Sequence, residues 1–121
     1  MADEITVIAG LAFTKGGSSQ QLGPVRGIVD MTGEGWVSHR QTIGTSAEAV
    51  TIPSDMGTAG WSMFINRHAT NFVTLRIGSG GSDFAKLLAG ESAGPFRLAT
   101  TSIYAIADTA ACELEVLILE Q

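Results

Sequence analysis

The sequence predicts an all-β chain: a single-domain antiparallel β-sandwich or jelly-roll-like barrel of about eight to ten short strands. Fifteen glycines are spread along the whole length, hydrophobic residues occur in short runs between them, and helical periodicity is weak throughout. A sheet with one apolar face must cover that face, so this many short strands predict two packed layers. At 121 residues the chain can bury roughly two-thirds of its unfolded surface in one core.

Ten segments have the alternation and the flanking turn residues of strands. The segment around Phe84, Leu87 and Leu88 also has helical spacing, but Gly90 follows closely, so it is one turn of helix or a short strand. The predicted strands are residues 4 to 14, 25 to 31, 36 to 43, 47 to 52, 60 to 67, 72 to 78, 84 to 88, 95 to 99, 102 to 108 and 112 to 120.

One stretch near the N-terminus is low in core-forming residues. Residues 15 to 24 read KGGSSQQLGP, a composition typical of a loop. We therefore expect one domain over residues 1 to 121, in which residues 1 to 24 form a possible extended arm, or an exchanged strand plus loop.

The stretch WSMFINRHATNFVTLRIG, residues 61 to 78, predicts a hairpin. A three-residue loop at residues 69 to 71 suits Asn71 and pairs apolar side chains across the two strands. This register places Met63 and Ile65 on the buried side, and Phe64 and Asn66 on the solvent side.

Both predicted terminal strands are apolar on two faces. Leu117 and Leu119 add a second apolar face to the strand ACELEVLILEQ, and ITVIAGLAF behaves likewise. We expect a loop or another chain to cover them, and the two strands either to pair together or to add to a neighbour's sheet. The candidate subunit interface is Ile5, Val7, Leu11, Phe64, Phe72, Leu117 and Leu119.

The composition excludes several kinds of site. The net charge is -5, and the seven Lys and Arg residues are scattered from Lys15 to Arg97, so we expect no nucleic-acid surface. His, Cys and acidic residues are not spaced as metal ligands or as catalytic motifs. We expect no catalytic, cofactor or metal site, and Cys112, the single cysteine, is interpreted as a small buried hydrophobe.

Membrane and secretion signals are also missing from the pattern. No run approaches the roughly 18 apolar residues of a membrane helix. The segment MADEITVIAG carries acidic residues where a secretory signal carries basic ones. We expect a chain made and first used in the cytoplasm, with no membrane partner.

The second half of the chain resembles small β-sandwich proteins found among the virion structural proteins of tailed bacteriophages. The resemblance is carried by Gly60 with Trp61, by N-x-x-x-x-N-F from Asn66 to Phe72, by L-x-x-G-E from Leu87 to Glu91 with Phe96-Arg97-Leu98 after it, and by the closing acidic and apolar strand. It covers about half of the chain, and the family brings no catalytic residues.

The resemblance implies a multi-copy part of a virus particle. The first expectation is a non-enzymatic capsid decoration or cement protein that binds and stabilises the assembled phage head, in the virion, after assembly in the bacterial cytoplasm. Its expected partners are the major capsid protein or other virion subunits and further copies of itself, with a trimer favoured. A tail or neck component, joining head to tail, is the alternative in the same class.

Two other classes stay open. A carbohydrate-binding β-sandwich module would use Trp36, Trp61 or Tyr104 as a stacking platform, although both tryptophans fit core positions at strand starts better. An enzyme would need His39 or His68 to meet an acid such as Asp30, Asp55 or Asp108 in a cleft.

Overall fold

The computed structural model describes residues 4–120, and they divide into two compact units, one ending at Thr32 and the other starting at Gly33. All regular structure in the described residues is β-strand. The predicted all-β class is therefore confirmed. The ten strands are β1 (Ile5–Lys15), β2 (Ser18–Val29), β3 (Trp36–Ile43), β4 (Glu48–Ala49), β5 (Ala59–Asn66), β6 (Val73–Ile77), β7 (Asp83–Leu87), β8 (Ser92–Arg97), β9 (Ile103–Ala107) and β10 (Cys112–Glu120).

The first unit is a β-hairpin. Strands β1 and β2 pair antiparallel from Ile5 opposite Val29 to Lys15 opposite Ser18. Gly16 and Gly17 form the two-residue turn with φ of 57° and 81°, as a type I′ turn requires at both central positions. The loop predicted at residues 15 to 24 is wrong, because two glycines complete the turn and the polar residues after them continue as strand. Residues 1 to 3 of the predicted arm lie outside the described residues.

The second unit consists of two four-stranded antiparallel sheets, ordered β3-β10-β5-β8 and β4-β9-β6-β7. Along the chain, every connection except the β6 to β7 hairpin passes from one sheet to the other. This is the strand order of a jelly roll, an eight-stranded sandwich of two Greek keys. The sheets remain separate, so the structure is a sandwich and not a closed barrel.

The core lies between these two sheets. The first sheet contributes alternate residues of β10, which are Cys112, Leu114, Val116 and Ile118, and the second contributes inward residues of β6 and β9. Ring contacts extend the core toward one edge, where Phe96 lies 6.2 Å from Phe64 and 6.4 Å from Phe84 between centroids. Because successive side chains of a strand point to opposite faces, the apolar residues at every second position point into this core.

The predicted hairpin between residues 61 and 78 is wrong. Its strands β5 and β6 belong to different sheets, so their residues do not pair. The faces of β5 are consequently reversed: Phe64 and Asn66 are fully buried at 0% exposure, whereas Met63 and Ile65 lie on the outer side, half-buried. Residues 78 to 82 form the turn that connects β6 to β7.

Candidate interaction surfaces

The polar residues at the end of β5 and between β5 and β6 form a hydrogen-bond network. The Asn66 Nδ2 group donates to the carbonyl oxygens of Asn71 at 2.8 Å, Leu87 at 3.0 Å and Leu88 at 3.3 Å. Its Oδ1 accepts the backbone N–H of His68 at 3.0 Å. One side chain thereby satisfies backbone groups of the loop after β5 and of the end of β7 with the residue that follows it.

His68 and Asn71 belong to the same hydrogen-bond network. The His68 Nδ1 atom accepts the backbone N–H groups of Thr70 and Asn71 at 3.1 and 2.8 Å. Asn71 donates from Nδ2 to the Ala110 carbonyl at 2.8 Å and accepts the Thr109 hydroxyl at Oδ1. These two bonds hold the His68 ring against the loop that follows β5. The cluster ties three loops together and offers no open site.

His39 is likewise occupied by the backbone. Its Nε2 lies 3.1 Å from the Thr51 carbonyl oxygen, and the neighbouring Gln41 exchanges two hydrogen bonds of 2.9 Å with the Ala49 carbonyl and the Thr51 N–H. These bonds hold the segment after β4 along the edge of β3. His39 and His68 are therefore both hydrogen-bonded to backbone groups of connecting segments.

An apolar surface covers the outer side of the sheet β3-β10-β5-β8. In the ladder, Leu119 is opposite Trp36, and Leu117 lies between Ser38 and Met63. Trp36 is 64% exposed, so its predicted place as a core plug is wrong. Trp61 is half-buried on the same side, with the Arg97 guanidinium 5.5 Å from its ring centroid. We call this surface the outer patch: Trp36, Trp61, Met63, Ile65, Leu117 and Leu119.

Charged side chains border the outer patch at one end. Arg40 lies 2.9 Å from Glu113 and 3.9 Å from Glu115, and Arg67 Nε lies 2.6 Å from Glu115. All four side chains are substantially exposed, so the pairs contribute little to stability. The four charged residues form a polar rim beside the apolar centre of the patch, an arrangement found in protein interfaces.

The hairpin presents a second apolar surface. Residues opposite one another in an antiparallel ladder point to the same face, and the pairs include Ala9 with Val25 and Leu11 with Leu22. The opposite face is mixed, with Ile8 beside Arg26 and Thr14 beside Ser19. We call the first the hairpin face: Ile5, Val7, Ala9, Leu11, Phe13, Leu22, Val25 and Val29.

The predicted interface residues separate into three groups. Leu11 and Leu117 are exposed, and Val7 and Leu119 are half-buried on the same surfaces. Ile5 is buried. Phe64 is a core residue, so including it was wrong; the error follows from the reversed faces of β5. Phe72 is half-buried, and the Lys86 Nζ atom lies 4.2 Å from its ring centroid.

The pairing expected for the terminal strands is also wrong in one alternative. β1 pairs with β2, and β10 pairs with β3 and β5, so the two do not pair with each other. Leu117 remains 43% exposed, so no loop within residues 4–120 covers it. Addition to the sheet of a neighbouring chain stays a prediction.

The predicted interface omitted four surface residues: Trp36, Phe13, Leu22 and Val25. Leu22 lay within the loop-like composition of residues 15 to 24. The available signal was the pair Gly16 and Gly17, since two consecutive glycines between strand-like runs indicate a two-residue hairpin turn.

Cys112 lies at the start of β10 and is 1% exposed. Its Sγ atom is 3.6 Å from the Ala110 carbonyl oxygen and 3.8 Å from that of Phe72. Burial raises the pKa of the Cys112 thiol; a hydrogen bond to the Asn71 side chain opposes this rise and the Asp108 carboxylate adds to it. The thiol therefore stays protonated near neutrality, as expected of a small buried hydrophobe.

Over residues 4–120, no group of three or more His, Cys, Asp or Glu side chains is arranged to hold a metal ion. In the same part of the chain, no helix has the length and apolar character needed to cross a membrane. The outer patch and the hairpin face remain the candidate interaction surfaces of the described chain. No protein-family model, curated protein or solved structure matches the chain.

Proposed function

We propose that this chain is a non-enzymatic structural protein of a phage virion, a capsid decoration or cement protein that binds and stabilises the assembled head. The observation that carries the proposal is that two apolar surfaces are exposed, the outer patch on the β-sandwich and the hairpin face on the first unit. Large exposed apolar patches mark interaction sites with other proteins. The partners proposed are the major capsid protein or other virion subunits and further copies of the chain.

The strand order supports the same class by analogy. Jelly rolls occur in viral capsid proteins and also in lectins, and a fold alone does not decide between such functions. The polar residues that catalysis would need are instead engaged with the backbone, as in Asn66 and His68. A protein that binds a shell through weak contacts repeated over many copies needs contact area, and it does not need a cleft.

Labelling of particles tests the proposal. Antibodies raised against the purified chain, with gold conjugates, would be applied to phage particles purified from the source culture and viewed by electron microscopy. Label over the head is the expected result. Label at the neck or tail would instead establish the alternative, a head-to-tail or tail component. Absence of label on intact and on opened particles, with the purified chain detected on the same grids, would refute both.

A carbohydrate-binding module is the second candidate function, and one observation favours it. Trp36 is exposed on the outer patch, and the half-buried Trp61 belongs to the same surface, which offers an aromatic platform. The nearby Asn66 is fully buried, so it does not contribute a polar contact to a sugar. Tyr104 lies on β9, in the other sheet, so it is not part of this platform.

A glycan array with the wild-type protein and Trp36→Ala decides this alternative. Saturable binding to a defined glycan, lost in Trp36→Ala and kept in the control Tyr104→Phe, would favour the carbohydrate module. No binding at high protein concentration would eliminate it.

A further inference from the structure

We propose that the hairpin face is a self-association surface, which packs against the same face of a neighbouring copy of this chain. The inference rests on the homo-oligomer part of the proposed function and assigns the surface by which the copies join. It does not depend on which particle, or which part of a particle, the chain belongs to.

The first argument is exposure. Leu11 and Leu22 are each 77% exposed, and Phe13 and Val25 on the same face are more than half exposed. These four side chains form the exposed, distal part of the hairpin face. A two-stranded ribbon is marginally stable in water by itself and needs a further layer against an apolar face. Packing by another chain supplies that layer.

The second argument is area. The four exposed side chains leave on the order of 500 Å² of apolar surface per copy, near the upper end of the largest patches on ordinary monomers. Two such faces together reach the area of about 1,000 Å² at which specific interfaces begin. The face is therefore large enough for an association between copies.

The third argument is charge, which favours this face over the rest of the surface for contact between two copies. The chain has a net charge of -5, so two copies repel each other over most of their surfaces. Along the hairpin face from Ile5 to Phe13, neither β1 nor its β2 partners carry a charged side chain. Contact here buries no ion and brings no like charges together. The only cation on this face is Lys15, at the tip.

The residues Leu11 and Leu22 provide the test because they are directly opposite each other on the hairpin face. The double variant Leu11→Thr/Leu22→Thr keeps residues of high strand propensity and removes the apolar contact. Ile8→Thr is the matched control, since Ile8 is 62% exposed but lies on the other face. Each full-length protein would be measured by size exclusion with light scattering over about a hundredfold range of concentration.

We expect an oligomer of defined mass for the wild-type protein and for Ile8→Thr, and dissociation of the double variant with an apparent dissociation constant raised at least about 100-fold. Fluorescence of Trp36 and Trp61, both in the second unit, reports whether the sandwich is still folded. A wild-type monomer at the highest concentration overturns the proposal, as does an oligomer that survives both substitutions.

Oxidative cross-linking keeps the test valid if the double variant does not fold. With the native Cys112 buried, Leu22→Cys should form disulfide-linked dimers of the assembled protein, and Ile8→Cys should not. Equal cross-linking at both positions would contradict the assignment. A wild-type monomer together with label on the particles would refute this inference and leave the proposed function standing, because the label tests the particle and the mass tests the hairpin face.

Discussion

At the scale of single residues, the fully buried Asn66 shows how a polar side chain replaces missing strand pairing. Its amide donates to three carbonyls and accepts one N–H, and these bonds fix the loops that follow β5 and β7. A buried backbone group without a partner costs about 1–3 kcal/mol. Asn66 is therefore a stability determinant in a position that the sequence pattern assigned to solvent.

We predict that Asn66→Asp lowers the free energy of unfolding by about 2–4 kcal/mol, because a carboxylate cannot donate to the three carbonyls and is buried as a charge. Urea unfolding monitored by tryptophan fluorescence measures the change. Asp83→Asn is the control, since Asp83 is exposed in its pair with Arg76 and its loss should cost less than about 1 kcal/mol. Equal effects of the two substitutions would show that the Asn66 hydrogen bonds contribute nothing specific.

Cys112 gives a prediction for pH. Because its pKa is raised in the folded protein, the unfolded chain loses the thiol proton first as pH increases. The folded state then binds more protons than the unfolded state, so the stability falls once pH exceeds the ordinary thiol value of about 9. We expect the wild-type protein to lose more stability between pH 8 and roughly 10 than Cys112→Ala does. Parallel pH profiles for the two proteins would contradict the prediction.

At the scale of elements, β8 meets β5 through a bulge that depends on glycine. Two β5 residues, Ser62 and Phe64, are opposite Phe96 and Ala93, and Gly94 lies in the irregular segment between them. Gly94 has a φ of 91°, and a Cβ there would lie 2.7 Å from the Ser62 carbonyl oxygen. Both the backbone conformation and the close approach exclude a side chain.

Gly94→Ala should therefore lower the thermal midpoint by on the order of 10 °C, corresponding to about 2–3 kcal/mol of strain and displaced backbone. Differential scanning calorimetry measures this shift. Gly80→Ala is the matched control, because a Cβ there meets nothing within 4 Å and its φ is not positive. If both variants melt alike, the close packing of β8 on β5 has no energetic consequence.

The elements also show what sequence reasoning can reach. The strands from β3 to β10 were predicted nearly in place, since alternation and turn residues are local signals. The partner of β5 was not predicted, because pairing within 61 to 78 satisfied hydrophobic matching and turn chemistry as well as the actual arrangement does. Asn66 contributed to the reversed faces of β5, because an asparagine is expected to be exposed unless the carbonyl groups to which it donates are known. Tertiary contacts thus decided which face of β5 is inside.

At the scale of the whole molecule, the two units differ in the contacts that stabilise them. The sandwich closes a core of residues from two sheets, whereas the hairpin is a single two-stranded sheet with its distal half exposed. Free energies of local opening follow buried contact. The stability of this chain is therefore concentrated in the second unit, and that of the hairpin depends on what its apolar face contacts.

Hydrogen exchange measured by mass spectrometry tests this division. In dilute solution, where copies are separated, we expect amides of β1 and β2 near the turn to exchange at least about 100-fold faster than those of β10, which is paired on both sides. At high concentration the hairpin amides should become protected, because a packed neighbour suppresses local opening, while β10 stays unchanged and serves as the internal control. Hairpin protection equal to that of β10 at every concentration would mean that the ribbon is stable without a neighbour, and would remove the physical reason for its self-association.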